Sequence, residues 1–180
     1  MRADARKNYT HVLSVAREVL TEQGATASLR DIARKADVGL ATLYRHFPSR
    51  DALVETLLRT ELDVLTDRAT ELEKEPPSAE SLIDWFKDSV RYFQRYRGVT
   101  DLMAAAYADP QSALFTSCSR VRAAGNSLLA RAQAVGVASN ELDEADLFAL
   151  IAAAGWMSDQ PSFNDRADHL IDFIARAMLR

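Results

Sequence analysis

A single cysteine, six glycines and five prolines in 180 residues leave this chain with little punctuation and no internal cross-link. Cys118 has no partner for an intrachain disulfide, which predicts a reducing, cytoplasmic setting. No apolar run approaches the roughly 18–20 residues that span a bilayer, so no membrane association is expected. The first residues, Met1 to Asn8, are too polar for a signal peptide. Catalytic signatures are missing as well: there is no Gly-x-Ser-x-Gly elbow, no phosphate-binding glycine loop and no His-Glu-x-x-His. The three histidines, His11, His46 and His169, lie far apart with no paired Cys or carboxylate spacing, which argues against zinc. The reading that follows is a non-enzyme without cofactor or metal.

What is present is apolar content and uneven charge. Hydrophobic residues make up 48% of the chain, enough for a substantial core. The net charge of −4 argues against a nucleic-acid partner until it is divided. Residues 1–50 hold nine Lys/Arg against five acids, a net of +4, and the remaining 130 residues are net −8. A basic head on an acidic body is the asymmetry of a chain that meets phosphate at one end only.

The patterning is helical throughout, with no strand period and no internal repeat. Helices are expected from Asp4 to Gln23, Leu29 to Ala36, Leu40 to Phe47 and Arg50 to Glu73, the last a long link between head and body. Ser28 and Ser49 stand as N-caps, Asp31 follows Ser28 in capping-box style, and Pro48 stops the third helix. Lys74-Glu75-Pro76-Pro77-Ser78 is the clearest break. Beyond it, Ser81 to Tyr96, Val99 to Ala108, about Leu114 to Val135, Glu141 to Asp159 and Arg166 to Leu179 read as helices. The predicted division is 1–50 for the head, extending into the link 50–73, and 74–180 for the body.

The informative stretch runs from Ser28 to Phe47. Ile32, Ala33 and Ala36 give one short helix an apolar face, and Val38, Leu43 and Phe47 serve the next. Asp37-Val38-Gly39 between them has room only for a tight turn. Packed on the first helix, the pair makes a tri-helical helix-turn-helix, with Thr42, Tyr44, Arg45 and His46 left over for a groove.

This run resembles the TetR family of bacterial repressors, whose signature is an Ile-Ala-x-x-Ala-Gly-Val turn followed by Thr-Leu-Tyr-x-His-Phe. Ile32, Ala33, Ala36, Val38, Thr42, Leu43, Tyr44, His46 and Phe47 match it. Arg2, Asp4, Ala5 and Asn8 fit the leading flank, and Pro48, Ser49, Arg50, Ala52 and Leu53 the trailing one. Two positions depart. Asp37 replaces the turn glycine, which predicts a strained turn, and Gly39 replaces the frequent serine cap. The resemblance implies an all-α dimer binding double-stranded operator DNA and released by a small-molecule effector. It implies phosphate contacts from Thr42, Tyr44 and Arg50, and base contacts from Arg30, Leu40 and Ala41. Arg45 remains for the groove, and His46 for phosphate or for packing on helix one.

In the body, Trp85, Phe86, Phe93, Met103, Tyr107, Phe115 and Trp156 are candidates to line an apolar or aromatic effector pocket. Tyr107, Thr100 and Asn126 are its hydrogen-bonding options. Gly125, inside the Leu114 to Val135 stripe, makes room either for a ligand or for a packed helix. Cys118 on the same stripe reads as a buried, inert thiol. Residues 147–157 are apolar on every side, and the last helix is apolar over more than one stripe. Leu147, Ile151, Ala154, Leu170, Phe173 and Ile174 are therefore expected in an isologous dimer interface. Two rival readings remain. One is a helical small-molecule-binding protein or enzyme that keeps the head as a packing module. The other is a regulator acting by protein contact without an effector.

Overall fold

The structure, a computed structural model, describes residues 2–23, 27–95, 99–158 and 160–180, without the side chains of 2–6, 99–102 and 164. Among the described residues there are nine α-helices: α1 Arg2–Gln23, α2 Leu29–Lys35, α3 Leu40–His46, α4 Arg50–Leu72, α5 Ala79–Arg95, α6 Val99–Ala108, α7 Phe115–Ala134, α8 Glu144–Ser158 and α9 Ala167–Ala177. They follow the periodicity to within a few residues. The one extended feature among them is an antiparallel bridge between Ala138 and Leu179, which ties the α7–α8 loop to the end of α9. Tyr96 and Asp159, read as helix ends in the sequence, lie outside the described residues.

Local chemistry explains the head. The Ser28 hydroxyl accepts the Asp31 N–H at 3.1 Å and donates to the Asp31 carboxylate at 2.6 Å, closing the first turn of α2. The Ser49 hydroxyl accepts from Ala52 N–H at 3.0 Å and starts α4. Gly39 starts α3 with no side-chain bond, as its lack of an oxygen requires. Val12, Val15, Ala16, Val19 and Leu20 of α1 are buried with Ile32, Ala33, Leu43 and Phe47 of the helix pair. The Tyr9 ring stacks on Phe47 with centroids 5.3 Å apart.

The turn between α2 and α3 is strained where the sequence departs from the signature. Asp37 has φ 52°, the only non-glycine residue at positive φ among those described. Asp37 N–H donates to Arg34 O at 3.3 Å and Val38 N–H to Ala33 O at 3.0 Å. That pair of bonds is the Schellman closure, which calls for a left-handed residue and is most easily met by glycine.

In the body, α4 lies along α7 and α5 along α8, with α9 against α5 and α8. The α4–α7 seam is stitched by Arg120 to Asp63 at 3.0 Å, Ser127 to Glu73, and Arg131 to the Glu75 carbonyl at 2.8 Å. Its centre is Trp85, wholly buried, whose indole N–H donates to the Leu65 carbonyl of α4 at 3.0 Å. The ring covers Gly125 of α7 so closely that a Cβ there would overlap its six-membered edge. At Gly155 a Cβ would stand 2.5 Å from Cβ of Phe93, so α8 approaches α5 by the same device.

Two stability measurements follow. Asp37→Gly is expected to stabilise the chain by about 0.5–1 kcal/mol in urea unfolding, because glycine carries no penalty at this φ; a lower midpoint would show that the turn is not strained. Gly125→Ala gains about 1 kcal/mol of helix propensity but overpacks Trp85 by about 1–3 kcal/mol. The expected net effect is a lower melting temperature, and an unchanged or higher one would mean that Trp85 yields readily.

Candidate nucleic-acid interface and ligand cavity

The outer face of α3 is polar and open. Tyr44 is 48% exposed although it is a large ring inside a well-packed motif, and Ala41, Arg45 and His46 are exposed beside it. Arg45 donates to the Thr42 hydroxyl at 3.0 Å, so the two are ordered together on the surface. Arg30, on α2, is also exposed. These side chains form one face that can approach a groove.

Three expected contacts stand differently. Arg50 turns back into the head: its Nε donates to the Ala27 carbonyl at 3.0 Å, and Nη1 reaches Asp51 at 3.4 Å. It ties the start of α4 to the loop before α2. Leu40 is half-buried against the head core, which leaves only part of its side chain for bases. His46 meets the Tyr9 ring edge-on, with centroids 6.0 Å apart, the helix-one packing option. Lys35 pairs with Glu22 at 3.1 Å and Glu18 at 3.4 Å, and this hydrogen bonding holds its pKa above the usual lysine value.

The body encloses a cavity of about 350 Å³ between α4, α5, α6, α7 and α8, at the small end of ligand sites. Leu62 and Leu65 form its α4 wall, Phe93 and Tyr92 its α5 wall, Met103 and Tyr107 its α6 wall. It meets solvent where exposed Ala104, Tyr107, Ala145 and Ala149 line it. Of the expected lining residues, Phe93, Met103 and Tyr107 are there. Trp85 and Phe86 are instead fully buried core, since Trp85 is bound to Leu65 and Gly125 is filled by its ring. Phe115 stacks on Tyr107 with centroids 6.2 Å apart, behind the lining. Trp156 points outward, 54% exposed. Asn126 is on the surface, and the side chain of Thr100 lies outside the described residues.

Three polar cavity residues escaped sequence reasoning: Tyr92, Ser89 and Arg122. The Ser89 hydroxyl, in a residue only 2% exposed, lines the cavity with no hydrogen-bond partner among the described residues. Leaving such a group unsatisfied costs about 1–3 kcal/mol. Its signal was present, a serine on the otherwise apolar stripe of α5. Arg122 of α7 also lines the cavity, with its guanidinium 4.2 Å from the Tyr107 ring centroid and 4.6 Å from that of Phe148. Its Nε donates to Glu144 at 2.8 Å. Burial pushes the Cys118 thiol, another lining group, up to about 11, against the opposing pull of a backbone hydrogen bond and the Arg122 charge. At neutral pH it is therefore a protonated, unreactive thiol.

The expected interface residues divide in two. Leu147, Ile151 and Ala154 are fully buried inside the protomer, where α8 packs on α5 and α7 and Ile151 lines the cavity. Leu170 and Ile174 are half-buried and Phe173 is 60% exposed. Trp156 and Phe173 thus leave large apolar surface on the outside of the last two helices.

One ion-paired group connects the two ends. Glu61 of α4, itself buried, takes Arg17 of α1 at 2.6 Å and Arg95 of α5 at 3.0 Å. The neighbouring Leu62 already lines the cavity.

Comparison with known proteins agrees with this layout. A family model described as "Bacterial regulatory proteins, tetR family" matches residues 12–57, and one described as "Transcriptional regulator SbtR-like, C-terminal domain" matches residues 76–178. The TetR transcriptional regulator SCO0520 from Streptomyces coelicolor superposes with a TM-score of 0.71 at 32% identity, over 94% of this chain and 97% of that one. A TetR regulatory protein from Mycobacterium vanbaalenii gives a TM-score of 0.69 at 28% identity, over 99% of both chains. The regulator UidR of Escherichia coli K12 is 28% identical over 119 residues, 63% of this chain. The matched part spans only 59% of that curated relative's length. With a helix-turn-helix at one end, a cavity in the helical body and family matches over both, the chain belongs to the TetR family of DNA-binding transcriptional regulators.

Proposed function

We propose that the chain is a homodimeric repressor that binds a palindromic operator and releases it when a small molecule fills the body cavity. The observation that carries this reading is the sharing of α4. Its first turn is tied through Arg50 to the loop before α2, and further along Leu62 and Leu65 wall the cavity. A ligand in the cavity therefore touches the helix on which the head is mounted. On this reading residues 1–50 are the DNA-binding unit and 74–180 the effector and dimer unit, joined by the link 50–73. Two heads related by a two-fold axis would enter successive major grooves about 34–36 Å apart.

Within the head, Tyr44 and Thr42 contact phosphate and Arg30 and Ala41 contact bases. A double substitution, Tyr44→Phe with Thr42→Ala, is expected to weaken binding to every sequence and to flatten the dependence of affinity on salt. Arg30→Ala is expected to cost about 1–3 kcal/mol at one base position and to relax specificity there. Fluorescence anisotropy against operators selected from random DNA checks both. Uniform loss with Arg30→Ala, or an unchanged salt slope with the double variant, would contradict these roles.

The dimer is assigned to the outward side of α8 and α9, where a second copy would cover Trp156 and Phe173. Phe173→Glu combined with Trp156→Glu is expected to give a folded monomer, because both positions are exposed in the protomer. Ile151→Glu, by contrast, would bury a carboxylate in the protomer core and unfold it. Sedimentation velocity on the double variant decides, and a dimer that survives it would move the interface elsewhere.

A further inference from the structure

The effector class can be narrowed from the cavity's own chemistry, an inference that rests on the cavity being the effector site. Among the described residues lining it, the charged one is Arg122. Its guanidinium lies between the Tyr107 and Phe148 rings, so its plane is held by two aromatic faces. Nε is committed to Glu144, and no described residue engages the two terminal amino groups. Those amino groups present the planar donor pair that suits a carboxylate.

The faces a lipophilic cation would seek are thus already occupied by a cation. Glu144, the acid paired with Arg122, is spent on that pair. A cationic ligand would meet a like charge, whereas an anion would meet an ordered and partly desolvated partner. The rest of the lining is apolar apart from Ser89, Tyr92, Tyr107 and Cys118. Ser89 supplies a second, independent pointer, a buried hydroxyl without a partner among the described residues, which a ligand oxygen would satisfy. At about 350 Å³ the cavity matches about a dozen waters at ~30 Å³ each, which suits one or two rings or a medium acyl chain.

We propose that the effector is a small amphipathic organic acid whose carboxylate pairs with Arg122, in competition with Glu144, and whose apolar body fills the cavity. The Glu144 competition makes a specific signature. If the pair merely held α7 to α8, substituting either partner would lower stability and shift all ligands alike. If Arg122 reads an anion, removing Glu144 tightens anions selectively.

The test titrates the intact chain by calorimetry with matched probes that share one apolar body: 2-naphthyl, biphenylyl or n-octyl. Each body carries, through one methylene, a carboxylate, a primary alcohol or a primary ammonium, so that the acid and the alkyl amine are both ionised at about pH 7.5. In at least one set the carboxylate is expected to bind about tenfold or more tighter than the alcohol, with the ammonium weakest. Arg122→Met is expected to bring the carboxylate down to the alcohol's affinity and to change the alcohol by less than about twofold. Glu144→Gln is expected to tighten the carboxylate by about threefold or more and leave the alcohol where it was. Should Arg122→Met fail to fold, the Glu144→Gln result decides alone. The proposal is overturned if no carboxylate binds, if alcohols or ammoniums win in every set, if the preference survives Arg122→Met, or if Glu144→Gln moves all probes together. Operator release is read separately by anisotropy. A carboxylate that binds but leaves the DNA complex intact upholds the anion class and defeats release. If no carboxylate binds while a neutral or cationic molecule binds and releases DNA, release stands and the anion class falls.

Discussion

Everything in the body is arranged around the Trp85 indole. One side chain makes three commitments to three helices: its N–H to the Leu65 carbonyl of α4, its six-membered edge to Gly125 of α7, and a T-shaped ring contact to Phe148 of α8 at 6.0 Å between centroids. A buried ring of this size cannot be moved without opening a void or losing the hydrogen bond, and either costs several kcal/mol. Leu65 and Phe148 are also cavity residues. The cavity therefore has a rigid floor, and its volume is what remains after Trp85 has set the spacing of α4, α5, α7 and α8.

A second constraint links this body to the head. Glu61 is a buried carboxylate, and such a group is tolerated only when paired and hydrogen-bonded. Its partners come from α1 and α5, at 2.6 and 3.0 Å, so one side chain holds head, link and body together. Both arginines are about half exposed, so the net stabilisation is modest. The consequence is geometric. A rotation of α4 that carried Glu61 away from either arginine would leave a charge unpaired, which makes the two-sided pairing a discrete arrangement instead of a continuously adjustable one.

The head was legible in the sequence because each layer of information agreed there. Caps at Ser28 and Ser49, a 3.6-residue period and a dense motif all pointed to the same three helices, and even the departure at Asp37 was realised as a positive φ. The body was legible as helices but not as surfaces. Helix α8 is apolar on all sides, so its pattern carries no direction, and Leu147, Ile151 and Ala154, expected in a dimer interface, are wholly buried within the protomer. Trp85 and Trp156 look alike as residues in apolar helices; only the position of Gly125 opposite one of them puts it in the core. Arg122 was illegible for a related reason. Its two rings arrive from α6 and α8, and a basic residue beside an apolar stripe ordinarily reads as solvent-facing.

On the proposed reading, binding and release use different walls of one cavity. Arg122 and its rings stand where the cavity reaches solvent, so they govern which molecules enter and how tightly they stay. Leu62 and Leu65 stand on α4, one turn of which also carries Glu61. A ligand shifts the operator-binding equilibrium only through a difference in its affinity for the two arrangements of α4. A molecule that satisfies Arg122 without pressing on Leu62 or Leu65 binds and changes nothing. One long enough to press on them strains the Glu61 pairs and favours the arrangement in which α4 has moved. Potency and efficacy are then separable in this architecture: head-group charge sets the first, and the reach of the apolar body toward α4 sets the second.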